Sequence, residues 1–154
     1  MTGFLKCKLA RRNRVSVAVG YLNHFAAMSL HMTYTETLEA TKSKYPFDRW
    51  EESREHGLEQ YTTENCDKAR SIFNELIANL VSLGSEADES DKIAAFETAV
   101  MALNDLNEEL DECFIETGER EDLCELCNVI AEAARIDYTK YGEGEGPASE
   151  WRDW

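Results

Sequence analysis

The chain is poor in residues that break helices and in residues that do chemistry. It holds two prolines in 154 residues, Pro46 and Pro147, so its interior is free to be helical. Its three histidines, His24, His31 and His56, have no Ser or Cys nucleophile beside them in a recognisable elbow, and the triad logic of a hydrolase is missing. A di-iron bundle wants Glu-x-x-His pairs, but the residue three before His56 is Ser53. There is no long apolar run: Val15–Leu30 is 16 residues, is broken by Asn23 and His24, and is too short and too polar to span a bilayer. Strict apolar–polar alternation is also lacking, and Val15–Val19 is the one β-prone stretch. Basic residues are scarce, 16 against 31 acidic ones, and the net charge of −15 repels nucleic acid and anionic lipid. These absences argue against a nucleic-acid or membrane partner and predict no cofactor.

What is present is unevenly spread. Five of the 16 basic residues (Lys6, Lys8, Arg11, Arg12 and Arg14) fall in residues 1–31, which hold no acid; residues 32–154 carry 11 basic residues against all 31 acids. A basic stretch before an apolar one has the outline of a secretory leader, but no small-x-small cleavage site follows, and the surroundings of Arg11-Arg12 fit an export signal poorly. The abrupt change in composition favours a translation start at Met28 or Met32, with residues 1–31 lying upstream of the mature protein. Five cysteines, an odd number, with the last four in helical surroundings, point to reduced thiols in a cytoplasmic protein.

From residue 32 onward the apolar spacing is helical. The pattern predicts a short helix over 34–44, ended by Tyr45-Pro46, and a second over 49–60, capped by Asp48 and anchored by Trp50, Leu58 and Tyr61. A third begins at Thr62 or Thr63, carries Ala69, Ile72, Phe73, Leu76, Ile77, Leu80 and Leu83, and stops at Gly84. A fourth runs from about Lys92 to Phe114 on Ile93, Phe96, Val100, Leu103, Leu106 and Leu110, with Asn104 and Asn107 on its solvent side. The last spans about Glu119–Ile136, with Thr117 as its cap. Short connections between stripes that must be buried predict an all-α, up-and-down bundle of four to five helices. The domain reading is a basic and apolar segment over 1–31, an acidic bundle over 32–141, and a flexible Gly-rich tail over 142–154. Trp151 and Trp154 lie on one face of the tail's last turn, placed to clip it to the body or to anchor a partner.

Three constellations invite a chemical reading. Cys124-Glu-Leu-Cys127 is a single CxxC inside a helix, without the second knuckle that structural zinc needs. Glu86–Glu97 has the length of an EF-hand loop but puts Asp91 where glycine is required. Glu109-x-x-Glu112 and Glu119-x-x-Asp122 resemble the carboxylate pairs with which MazG-like helical nucleotide pyrophosphohydrolases hold Mg²⁺, and make Glu109, Glu112, Glu119 and Asp122 the alternative magnesium set.

The second half, through Leu103-Asn104-Asp105-Leu106-Asn107-Glu108, Ile115-Glu116-Thr117-Gly118-Glu119-Arg120-Glu121 and Glu150-Trp151-Arg152-Asp153-Trp154, resembles small acidic bacterial helical proteins of undefined activity; in size and acidity the chain is similar to immunity proteins that neutralise toxins. The resemblance implies a bacterial cytoplasmic protein that works by contact; the acidic helical face predicts a non-enzymatic binding protein for a basic partner such as a toxin nuclease. The expected partner-binding residues are Glu108, Glu109, Asp111, Glu112, Glu116, Glu119, Glu121 and Asp122, with Trp151 and Trp154 as apolar anchors. A structural bundle that forms a homodimer by burying one stripe is the remaining expectation.

Overall fold

Thr33 opens the first helix by a reciprocal cap. Its hydroxyl accepts from the Glu36 N–H at 3.2 Å, while its own N–H donates to the Glu36 carboxylate at 2.8 Å. The computed structural model describes residues 32–154, so the expectations for residues 1–31 lie outside the described residues. Helix α1, Tyr34–Ala40, tightens into a 3₁₀ turn, Thr41–Lys44, and Tyr45 is extended ahead of Pro46. Helix α2, Phe47–Ser53, starts at Pro46, so Asp48 sits in its first turn and not at the cap. It continues only as a 3₁₀ turn over Arg54–His56 before Gly57 reverses the chain at φ 96°. Leu58, expected as an anchor, is therefore exposed, whereas Trp50 and Tyr61 are buried.

Helix α3, Thr63–Leu83, follows the expected bounds, with the Thr62 hydroxyl accepting from the Asn65 N–H at 3.1 Å. Helix α4, Glu89–Glu109, ends five residues before Phe114. Asp111 and Glu112 adopt φ of 58° and 57°. The Glu112 N–H then reaches back to the Asn107 carbonyl at 2.8 Å and the Asp111 N–H to the Glu108 carbonyl at 3.1 Å, the paired bonds of a Schellman ending. Helix α5, Thr117–Ala133, ends in the same way, with Arg135 left-handed and Ile136 bonded back to the Ala131 carbonyl at 2.9 Å. Thr117 is the first residue inside α5, and Glu116 holds the cap position. Helix α6, Ala148–Trp151, is a single turn. There is no strand among the described residues, and the architecture is the expected all-α bundle.

α3 and α4 are the closest pair, joined by a short loop, with α1 and α2 laid on α3 and α5 placed against α1 and its 3₁₀ turn. Between them lie Leu38, Phe73, Leu76, Ile77, Leu80, Phe96, Val100, Leu103, Leu123, Leu126 and Ile130, all at 2 % exposure or less. An aromatic chain runs from Tyr45 and Phe47 through Trp50 and Tyr61 to Phe114, with successive centroids 5.2–5.8 Å apart. It ties α2 to the turn after α4. Lys92 is also buried, at 4 % exposure. Its ammonium donates to the Ser85 carbonyl at 2.8 Å and the Ala134 carbonyl at 3.2 Å, just past the ends of α3 and α5, and lies 5.3 Å from the centre of the Tyr34 ring. Carbonyls at helix C-termini and an aromatic face receive a charge that has no carboxylate partner there.

Residues 142–154 belong to the same compact unit as 33–141. The glycines turn the chain and do not leave the tail free. Gly146, at φ 111°, lies so close to Asn128 that a Cβ there would stand 1.8 Å from its Oδ1, and the Asn128 amide donates to the Glu145 carbonyl at 3.0 Å. Pro147 and Ala148 are buried, and α6 packs on α4 and α5.

Candidate functional site

The region to which the expected binding residues belong is built at the C-terminal end of α4, which stops before Phe114. Two asparagines one turn apart do the building. Asn107, 7 % exposed, accepts at Oδ1 from the N–H groups of Phe114 and Ile115 at 3.2 and 2.9 Å. It holds the chain that has just turned through Asp111 and Glu112. Asn104, 8 % exposed, donates to the Trp151 carbonyl at 2.8 Å and accepts from the Asp153 N–H at 3.2 Å, which holds the tail. Neither lies on the solvent side expected for them. Their amides substitute for backbone partners that an irregular segment cannot supply itself.

Between Asp105 and Asp122 the chain holds nine acids and one base, Arg120. Glu109 pairs with Lys68 at 2.8 Å, and Asp122 accepts from both the Arg49 guanidinium and, at 2.9 Å, the Trp50 indole N–H. Asp105, Glu108, Asp111, Glu112, Glu116, Glu119 and Glu121 make no ion pair among the described residues. All of these but Glu119 are exposed. Burial, with the Glu119 carboxylate close by, pushes the Tyr61 hydroxyl beneath this surface above its ordinary range.

The expected acidic set is thus divided. Glu108 closes α4, Asp111 and Glu112 occupy the left-handed turn, Glu116 and Glu119 begin α5, and Glu121 follows one turn in. Glu109 and Asp122 are spent on internal pairs. Glu112 does not share a helical face with Glu108 or Glu109, because the helix ends before it. Trp151 and Trp154 are half-buried against the body, and the Arg152 guanidinium lies 5.9 Å from the centre of the Trp154 ring. They act first as the clip of the tail.

A cleft of about 310 Å³ opens where the tail meets the end of α4. Asn107, Glu108, Glu112, Asp153 and Trp154 contribute to its walls, with Met101, Asn104, Asp105 and Ile115 completing them. Sequence reasoning missed Asp105, Asn107 and Asp153 here. The available signal was the Asn104–Asn107 spacing, which keeps two amides on one face of a helix beside its apolar stripe.

The alternative magnesium set is not assembled. Among the described residues no group of three or more His, Cys, Asp or Glu side chains is placed to hold a metal ion. Glu112 stands in the turn, and Glu109 and Asp122 face cations. The EF-hand-length segment is largely the first turns of α4. In the CxxC, Cys127 is buried in the core and Cys124 half-buried; desolvation raises both thiols above their ordinary range, the opposite of an activated cysteine.

Comparison with known protein families, with curated proteins and with solved structures finds no match to this chain. No described helix is long and apolar enough to cross a membrane.

Proposed function

We propose that this protein is a non-enzymatic binding module, an inhibitor or immunity-type protein that presents the acidic turn between α4 and α5 to a basic protein partner. The observation that carries this reading is the run of seven carboxylates from Asp105 to Glu121, on the end of α4, the turn and the start of α5, that pair with no cation among the described residues, beside a turn that Asn107 ties down. Carboxylates fixed on a rigid support lose little freedom on association, and their summed field speeds encounter with a cationic surface. A toxin nuclease, whose cleft is built for phosphates, is the kind of partner such a surface would imitate substrate to.

The test is retention of proteins from lysate of the source organism on the immobilised full chain, at about 50 and 500 mM salt, roughly spanning Debye lengths of 14 to 4 Å. A parallel bait carries Glu108→Lys, Glu112→Lys and Glu116→Lys. The reading expects one basic protein, retained at low salt and released at high salt, that the substituted bait does not capture. Retention indifferent to both salt and charge reversal refutes it.

A further inference from the structure

We infer that the cleft between the end of α4 and the docked tail is a receptor for a single arginine residue of a partner protein, and that it reads both the guanidinium and that residue's own backbone carbonyl. This deepens the proposed function and rests on it for the existence of a basic protein partner.

The acids alone do not distinguish an arginine from any cation. The discriminating group is Asn107. Because its Oδ1 accepts from the Phe114 and Ile115 N–H groups, the orientation of the amide is decided, and Nδ2 must face the other way. Nδ2 donates to nothing among the described residues, although the residue is 7 % exposed and lines the cleft. Among the described residues the sealed polar atoms without partners are those of Tyr34, Tyr61, Asn128 and Trp154; the Asn107 nitrogen is not one of them, and Asn107 lines the cleft. An N–H donor at the base of an acidic cleft rejects a bare metal ion and asks for an acceptor. The walls ask for a cation.

Both groups reside a few atoms apart in one arginine residue: the guanidinium for Glu108 and Glu112, and the peptide carbonyl for Asn107. The planar guanidinium also suits paired carboxylates better than an ammonium does. Trp154 supplies an apolar wall, and its ring already accepts a guanidinium, that of Arg152, on one side. A volume of about 310 Å³ suits one residue and not an extended peptide.

The experiment is an NMR titration of the isotope-labelled full chain at constant ionic strength. The probes are N-acetyl-arginine amide, N-acetyl-lysine amide and guanidinium chloride. The expected result is a saturable shift of the Asn107 side-chain amide and the Trp154 indole N–H. Blocked arginine should bind about fivefold more tightly than guanidinium chloride, the worth of one added hydrogen bond. Asn107→Asp keeps the acceptor for Phe114 and Ile115 but removes the donor, and should erase that advantage. Paired Glu108→Gln and Glu112→Gln should weaken all three cations, and Glu97→Gln, on another part of α4, should weaken none. Shifts spread over the acidic surface without Asn107, equal affinity for blocked arginine and guanidinium, or an advantage that survives Asn107→Asp would each overturn the inference. If a basic protein is captured, released by charge reversal, and bound equally well by Asn107→Asp, the proposed function stands and the arginine receptor falls. If the titration behaves as expected and no basic protein is retained, the receptor stands and the proposed function falls.

Discussion

Replacing Asn107 by alanine removes the one acceptor shared by two buried N–H groups, those of Phe114 and Ile115. Each buried donor left unpaired costs about 1–3 kcal/mol, so the pair accounts for roughly 2–6 kcal/mol. Alanine returns about 0.5 kcal/mol through its better helix propensity. The net loss is about 1.5–5.5 kcal/mol, a large share of the roughly 5–15 kcal/mol that holds a domain of this kind together. Urea unfolding followed by far-ultraviolet circular dichroism reads this directly. The midpoint should fall by about 1–3 M with an unchanged slope. Asn107→Asp, which retains an oxygen for both N–H groups, should recover the larger part of the loss despite adding a negative charge near Glu108 and Glu112. A loss under about 1 kcal/mol for alanine, or aspartate no better than alanine, would refute the claim that this amide holds the turn.

Four further outcomes follow from the same geometry. Glu112→Gly should stabilise the protein by about 0.5–1 kcal/mol in the same assay, since it relieves a left-handed residue at φ 57° with a branched-off Cβ and removes one unpaired acid. Gly146→Ala should destabilise by about 2 kcal/mol or more, because the new Cβ would stand 1.8 Å from Asn128 Oδ1 at a backbone φ of 111°; the thermal midpoint checks it. Brief alkylation of the native protein, mapped by mass spectrometry, should label Cys113, the exposed one of the four described cysteines, well before Cys66, whose thiol burial pushes up to about 12, or Cys127. The Glu89 carboxyl is held below its ordinary value of 4.5 chiefly by the Tyr141 hydroxyl, so its contribution is fully present above pH 4.5 and is lost as pH falls through the lower folded value. Glu89→Gln should therefore flatten that acid limb of the stability curve while leaving its neutral-pH shape unchanged.

The stretches that could be read directly were those in which local chemistry and tertiary need agree. Thr62 caps α3, Gly84 stops it, and the residues between keep three- and four-residue spacing to the end. The end of α4 was illegible for a specific reason. Leu106, Leu110 and Phe114 continue the helical spacing across the turn, so the pattern persists where the backbone does not. The residues that take the left-handed conformation are Asp111 and Glu112 and not glycines, which leaves no breaker in the sequence. Asn104 and Asn107 read as solvated polar residues because their burial depends on groups that become neighbours only on folding. The same holds for Lys92, whose acceptors lie at Ser85 and, 42 residues on, at Ala134. In the acidic region, which carboxylates remain unpaired depends on Lys68 and Arg49, cations 41 and 73 residues away from their partners.

The tail contact has a consequence for the order in which the molecule is assembled. Asn104 finds its partners 47 and 49 positions later in the chain, at Trp151 and Asp153. As the polypeptide emerges during synthesis, α3 and α4 can meet and bury their shared stripe while the amide of Asn104 is still hydrated, because nothing has yet arrived to replace its water. The cleft acquires its last wall only when Asp153 and Trp154 have been made and docked. A nascent chain therefore carries the acidic turn before it carries the finished cleft, whose last wall waits for residues 153 and 154.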